Sequence, residues 1–415
     1  MTLSRFRSLP ALALAFLLTG CPSDDYRDFG SGDDGEPGGG DLIGDDARRA
    51  VLADIGAGII LPSLRAFEES ADTLQSAVTA HAAAPAQAQA LDEARAAWRA
   101  AMQRWQRNEA LQVGPAGRNT GLDATPGGAG LRDRIYTYPF RTPCSIDQAA
   151  LDDAAVDENT AITIRGLGAL EYLLFFEGVN PDCPPPDGAD LAAKRAQYAE
   201  RVTDTIAATA GELVARWSPD GDDFLSEWSS AGAGSGTYMR PQAALDALSV
   251  ALFYVEKETK DRKIAGPTGI GATGVDPCGD ANCPERLESR LSMTSGANIR
   301  ANLAVFRDVF TGVEDGMGVN DLLRGIGRDD LADEVIAELD DTLAQLDALE
   351  AGFDAAVLAI PSNEACINAS ANPDGGGVPA CALHGYIRRA MDTFRGPIVA
   401  ALSLATPNAA AGDND

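Results

Sequence analysis

Glu109 and Glu171 are the residues of this sequence best placed to do chemistry, because each stands on an apolar helical face. Glu109 extends an apolar stripe of helical spacing, formed by Leu91, Ala94, Trp98, Met102 and Trp105. Glu171 is the single charge in the ten residues LGALEYLLFF, at 167–176, and a segment apolar on all sides predicts a buried helix. A buried carboxylate is costly unless it is protonated, paired with a cationic side chain or bound to a metal ion.

A pair of glutamates suits a hard, oxygen-seeking cation such as Fe(III) or Ca²⁺ rather than zinc. We therefore expect Glu109 and Glu171 to lie close together in the interior, near the junction of the helical units, where they are candidate metal ligands. The alternative is a structural role in which an arginine compensates each carboxylate. The candidate charge partners are Arg107, Arg165 and Arg290.

The histidines argue against a catalytic site, and we assign no catalytic residue. The chain has two, His81 and His384, and neither has a glutamate three or four residues further on. His81 stands in the polar end of a predicted helix and is expected to be exposed. His384 begins the last predicted helix and is expected to be structural. The sequence also lacks the Gly-x-Ser-x-Gly, P-loop and dinucleotide-binding patterns.

The N-terminus indicates export. Two arginines precede a short apolar run, SLPALALAFLLTG at 8–20, which is typical of a secretory signal peptide. The sequence Leu-Thr-Gly-Cys at 18–21 resembles a bacterial lipobox, which implies lipidation of Cys21 and a membrane anchor through it. Pro22 follows in place of Asp, and by analogy with lipoprotein sorting this favours the outer membrane.

Six further cysteines form an even set, which in an exported chain suggests disulfides. Six cysteines allow 15 pairings. We predict pairing between sequence neighbours, within loops rich in Pro, Gly, Asn or Asp: Cys144 with Cys183, Cys278 with Cys283, and Cys366 with Cys381.

The composition limits which classes of protein this chain can belong to. The 415 residues are 45% hydrophobic, enough for a sizeable core, and 33 Lys and Arg against 62 Asp and Glu give a net charge of −29. A chain this acidic is a poor partner for nucleic acid, since phosphate contacts require Lys and Arg.

Apolar residues recur at helical spacing almost throughout, so the sequence predicts an all-α fold with eight amphipathic helices in two packed four-helix-bundle-like units. Two of the predicted helices span 158–177 and 339–357. The predicted organisation is a signal peptide (1–20), a flexible acidic Gly-rich tether (21–44), a first bundle (45–230), a second bundle (231–405) and a disordered tail (406–415). Long disulfide-bearing loops are predicted at 113–157, 178–189, 261–284 and 361–380.

The segment RGLGALEYLL, at 165–174, resembles the signature helix of the imelysin family, whose pattern is Gly-x-His-x-x-Glu. Four further segments resemble that family in the right order: WRAAMQRWQRNEALQVGP (98–115), IYTYPFRTPCSIDQ (135–148), KIAGPTGI (263–270) and ESRLSMTSGANIRANLAVFRDVFTG (288–312). The resemblance covers roughly residues 45–405 and implies two helical bundles. Glu171 fits the pattern, but Gly168 stands where the family has histidine.

The resemblance implies a role in the cell envelope connected with iron or haem uptake. We expect a lipid-anchored, non-catalytic binding protein for iron or another metal, whose partner is an iron or haem ligand or another envelope protein. One alternative is a metallopeptidase of the imelysin type, which the absent histidine disfavours. The second alternative is a structural or protein-interaction lipoprotein without metal.

Overall fold

The structure is a computed structural model and describes residues 44–121, 124–139, 141–270 and 282–407. Every regular element within these ranges is helical, which confirms the predicted all-α class. The α-helices are α1 (Asp45–Ile55), α2 (Leu61–Ala83), α3 (Ala88–Glu109), α4 (Arg132–Ile135), α5 (Pro143–Leu151), α6 (Gly166–Phe175), α7 (Leu191–Trp217), α8 (Phe224–Ser229), α9 (Pro241–Leu252), α10 (Gly266–Thr268), α11 (Ser295–Thr311), α12 (Val319–Gly325), α13 (Asp329–Asp347), α14 (Gly352–Leu358), α15 (Asn363–Ala371), α16 (Pro379–Thr393) and α17 (Val399–Leu402). Three π-helical segments, π1 (Gly56–Ile60), π2 (Val255–Ala265) and π3 (Phe394–Ile398), and four 3-10 turns, Gly114–Ala116, Ile162–Ile164, Pro284–Arg286 and Pro373–Gly375, complete the set.

The first half of the chain packs around α2. The predicted stripe begins at the last residue of π1 and continues along α2. It is buried, and α2 packs against α3 and α7. Its members are Ile60, Leu64, Phe67, Ala71, Leu74 and Val78. Helix α6 fits between α3 and α7, as expected for a segment apolar on all sides.

The second half packs around α16, which contacts α13, α15 and π2. Helix α11 packs on α13 and also on α3, so one continuous hydrophobic core joins the two halves. Helix α1 packs against α9 and α12, which belong to the second half. The described residues, 44–407 with their gaps, form one compact unit by their contacts, and the division into bundles at 230/231 stays a prediction.

Three predicted boundaries differ from the structure. The helix predicted over 158–177 begins only at Gly166, whose positive φ of 72° turns the chain into α6. The helix predicted over 339–357 is two helices, because α13 ends at Asp347 and Gly352, with φ 79°, begins α14. The predicted long loop over 113–157 contains α4 and α5.

The N-terminal predictions lie outside the described residues. These are the signal peptide, Cys21 and all of the tether but its last residue. Residues 408–415 of the predicted tail lie outside as well. In the described part of the chain, the continuous helix Asp45–Ala83 is long and apolar enough to cross a membrane by length and composition. Since 56% of its most apolar window is buried inside the protein, its apolarity is that of a core helix.

Candidate functional site

Glu109, the last residue of α3, is fully buried within a set of donors. The Arg132 guanidinium donates to both carboxylate oxygens, at 3.3 Å and 2.8 Å, and the Tyr254 hydroxyl donates at 2.9 Å. The indole of Trp105, one turn earlier, donates as well. Burial alone would lower the pKa of Arg132, but the Glu109 carboxylate raises it above its usual value, so the pair is ionic.

Glu171, on α6, is also buried, with different partners. One carboxylate oxygen accepts a hydrogen bond from Arg141. The other accepts from the backbone nitrogen and the hydroxyl of Ser292, at 3.0 Å and 2.9 Å. Burial raises the pKa of Glu171, and Arg141 and Ser292 offset part of that rise. No described residue bonds to both glutamates, although each bonds to a residue of the second half of the chain, Tyr254 or Ser292.

The predicted charge partners are wrong. Arg107 pairs with Asp308 on α11, because it lies two positions before Glu109 and therefore on another face of α3. Arg165 precedes α6 in extended backbone and donates to main-chain carbonyls, among them that of Asp157. Arg290 is exposed. The arginines that do pair with the two glutamates, Arg132 and Arg141, come from the segment 113–157, where no apolar stripe of helical spacing indicates their position.

Glu288 is a buried site residue that sequence analysis missed. Its Oε1 lies 3.0 Å from the Lys263 ammonium and accepts hydrogen bonds from Tyr136 and Gln106, at 2.7 Å and 2.9 Å. The side-chain amide of Asn298 donates to Oε2 at 3.0 Å. Burial, followed by the nearby Glu288, raises the pKa of Tyr136 well above its ordinary value, so this phenol is a neutral donor.

The sequence around Lys263 explains why this centre was missed. Residues 256–263, EKETKDRK, are highly charged, yet they lie within π2, and Lys260 and Lys263 are completely buried. The signal that could have found them was present, because Lys263 and Glu288 begin two of the segments that resemble imelysins.

Beside these buried groups lies a cavity of about 540 Å³. The first half of the chain contributes Tyr136, Thr137, Tyr138, Pro139, Arg141 and Gly168 to its wall. The second half contributes Asp261, Arg262, Gly266, Glu285, Arg286, Leu287 and Glu288. A cavity of this volume is in the range that holds small organic ligands and is far larger than a single ion requires.

The buried carboxylates do not fit a metal ion in this arrangement. Glu109 accepts from an arginine, a tyrosine and a tryptophan, and Glu288 is bonded to Lys263 and three neutral donors. A metal at Glu171 would have to displace Arg141 or Ser292. In the described part of the chain, no group of three or more His, Cys, Asp or Glu side chains is placed to hold a metal.

Comparison with known proteins identifies the family. The family model described as Imelysin, a peptidase family by name, matches residues 60–372, about three quarters of the chain. The chain belongs to the imelysin family. Iron-regulated protein A of Synechococcus elongatus is 28% identical over 274 residues, which cover 64% of this chain and 65% of that protein, just under two thirds of its length.

Two solved structures share the imelysin fold. An imelysin-like protein from Psychrobacter arcticum superposes with a TM-score of 0.63 at 15% identity, over 87% of this chain and 97% of that one. A Parabacteroides distasonis protein, named as an iron-regulated protein A precursor, gives a TM-score of 0.63 at 18% identity, over 85% and 96%. At these identities the likeness concerns the fold alone.

The two glycines of the degenerate imelysin pattern differ in their surroundings. At Gly166, an added Cβ would lie 2.5 Å from the Ile135 carbonyl oxygen, so this position requires glycine. At Gly168, which lines the cavity, an added Cβ would meet only the ring of Tyr136, at 3.7 Å. Where the imelysin pattern has histidine, this chain therefore has no side chain in the cavity wall, although a Cβ in ordinary van der Waals contact with Tyr136 would fit.

Both histidines lie outside this cavity. His81, in the last turn of α2, is buried, so the expectation of exposure is wrong, and burial lowers its pKa. His384 on α16 is buried, and its Nδ1 lies 2.8 Å from the Ser370 hydroxyl, in keeping with a structural role.

Two of the predicted disulfides are confirmed, Cys144–Cys183 and Cys366–Cys381. The second joins helices α15 and α16 instead of closing a loop. Cys144 lies three residues after Arg141, which lines the cavity. The first bridge therefore fixes the chain close to Arg141. The predicted Cys278–Cys283 pair includes Cys278, which is outside the described residues.

Proposed function

We propose that this imelysin is a lipid-anchored binding protein of the bacterial cell envelope that takes part in iron acquisition without catalysing a reaction. It is exported through residues 1–20 and held at the outer membrane by lipid on Cys21. Its ligand occupies the cavity bounded by Tyr138, Arg141 and Gly168. The link to iron rests on the likeness to iron-regulated protein A.

The observation that carries the proposal is a cavity large enough for a small ligand. The buried carboxylates beside this cavity are already paired with cationic or hydrogen-bonding groups of the protein. Glu171 is held by Arg141 and Ser292, and Glu288 by Lys263. These carboxylates stabilise the architecture and are not available as a bare ion site. The iron is therefore bound as a complex with a small organic molecule, whose body fills the 540 Å³.

A metallopeptidase would need a metal-activated water and a general base beside the scissile bond. In this chain the motif position nearest the cavity is Gly168, which can neither ligate a metal nor accept a proton. The arrangement therefore supports binding over hydrolysis.

The test combines binding with activity. Mature protein is dialysed to equilibrium against ferric citrate, and the iron retained is compared between the wild type and Gly168→Phe, which adds a bulky ring to the cavity wall. We expect the wild type to retain iron, the variant to lose most of it, and neither to hydrolyse casein with or without added zinc. Iron retention equal in both proteins, or chelator-sensitive proteolysis that disappears in Glu171→Gln, would refute the proposal.

Anchoring is tested separately by fractionation. Cys21→Ala protein should leave the membrane fraction or accumulate as unprocessed precursor. Recovery of mature-sized Cys21→Ala protein with the membranes would show that the anchor is elsewhere.

A further inference from the structure

Arg141 is a cationic group of the cavity wall that uses few of its hydrogen-bond donors within the protein. Arg141 has five N–H donors. Its Nη1 donates to Glu171, and its guanidinium forms no second hydrogen bond within the described ranges. The side chain is 23% exposed and lines the cavity, so ligand can reach it.

Glu171 does not depend on Arg141 alone. Its other oxygen accepts two hydrogen bonds from Ser292, so the buried carboxylate stays partly compensated while Arg141 engages a ligand. Arg141 is also held in place from the main chain. The backbone nitrogen of Thr142 donates to the Thr163 carbonyl oxygen at 3.2 Å, and Cys144 is bridged to Cys183. An arginine fixed in this way is pre-organised for a planar anionic group.

In the described part of the chain, the acids that line the wall form no ion pair with this guanidinium. Asp261 lies 3.1 Å from the Lys260 ammonium and Glu288 3.0 Å from that of Lys263, so both acids have buried cationic partners. Arg262 and Arg286 contribute two further guanidinium groups to the wall, and the exposed Glu285 contributes one carboxylate. Tyr138, Pro139 and Leu287 supply apolar surface for the body of the ligand.

We propose that the cavity binds a small organic polycarboxylate, free or as the chelating ligand of Fe(III), with one carboxylate on the Arg141 guanidinium. Arginine forms paired, charge-assisted hydrogen bonds with carboxylates, and carboxylate oxygens are ligands for hard cations. The inference rests on the proposed function, since it names the ligand class of the same cavity. Gly168 supplies the room for the ligand, because no side chain projects from that position.

Isothermal titration of the mature protein with citrate, ferric citrate, ferric acetohydroxamate and inorganic phosphate tests this. We expect citrate to bind with or without iron, and its affinity to fall about tenfold to a hundredfold in Arg141→Met, as for a lost charge-assisted hydrogen bond. Gly168→Phe keeps the Arg141–Glu171 pair and should abolish binding. Arg328→Met, which removes an exposed arginine bonded to Asp330, should leave binding unchanged.

The remaining outcomes separate the two proposals. Ferric acetohydroxamate binding without citrate binding would overturn the carboxylate inference and leave the iron function standing. Citrate binding that iron does not strengthen would support the inference and remove the link to iron. Phosphate binding in place of citrate, or citrate binding unchanged in both Arg141→Met and Gly168→Phe, would overturn the inference. Failure of all four compounds to bind would overturn both proposals.

Discussion

The buried glutamates show what residue type and spacing can predict about a single side chain. An apolar stripe that ends in Glu109, and an apolar run interrupted by Glu171, predicted two buried carboxylates, and both are buried. Spacing along a helix locates a side chain on a face but carries no information about which distant segment meets that face. The partners Arg132, Arg141 and Ser292 come from such segments, so they could not be predicted.

The Glu109–Arg132 pair gives the sharpest prediction at this scale. Replacing Arg132 by methionine leaves the Glu109 carboxylate buried beside the neutral donors Trp105 and Tyr254 only. We expect unfolding in urea to show a loss of about 3–5 kcal/mol, the typical cost of breaking a buried ion pair. Arg328→Met, with a side chain 41% exposed, should change stability by less than about 0.5 kcal/mol. Equal effects of the two substitutions would contradict a buried pair.

At the scale of elements, periodicity located the long helices well and their ends poorly. The α2 stripe is buried as predicted, whereas the helix predicted over 158–177 begins only at Gly166 and the one predicted over 339–357 is divided before Gly352, both glycines having positive φ. The π-helix π2 escaped prediction because its spacing differs from 3.6 residues per turn and its sequence is highly charged. Its buried lysines form part of the site.

The start of α6 predicts a contrast between two neighbouring glycines. Gly166→Ala places a Cβ against the Ile135 carbonyl and forces a positive φ, so it should destabilise the protein by at least about 1–2 kcal/mol. Gly168→Ala adds a Cβ within a helix, in ordinary van der Waals contact with the Tyr136 ring, and should be neutral or stabilise by up to about 1 kcal/mol. Thermal melts of both variants check this. A neutral Gly166→Ala would show that α6 starts differently.

The packing of α13 against α16 predicts a pH dependence. Burial, followed by repulsion from Glu334, raises the pKa of Glu338 to about 7, with Asp341 and Asp392 adding to the rise and Arg389 opposing it. The protonated form is favoured in the folded state. The stability it contributes is therefore fully present below the ordinary glutamate pKa and is lost as the pH rises through about 7.

Glu338→Gln removes that titration. Its melting temperature should match that of the wild type at pH 4 and exceed it at pH 8, while exposed Glu350→Gln should show no such trend. A constant difference between wild type and Glu338→Gln across this range would mean that Glu338 titrates normally when folded.

For the whole molecule, one hydrophobic core that the two halves share supplies most of the stability, and each disulfide cross-links a local region. The Cys366–Cys381 bridge spans 15 residues and joins α15 to α16. Loop-closure entropy gives such a bridge about 3 kcal/mol. The double variant Cys366→Ser/Cys381→Ser should therefore have a free energy of unfolding lower by up to that amount. Its helical circular dichroism signal at about 20 °C should be unchanged. Loss of the helical signal would show that the bridge is required for folding.

The central claim is that iron reaches this protein as a carboxylate complex inside the cavity, and is not coordinated by the buried glutamates. An anomalous difference map at the iron absorption edge, from crystals grown with ferric citrate, tests it most directly. We predict a peak within the cavity between Arg141, Tyr138 and Gly168, with the Arg141–Glu171 and Arg132–Glu109 pairs intact. A peak bonded directly to Glu109 or Glu171 with its arginine displaced, or no peak in the cavity, would contradict the account.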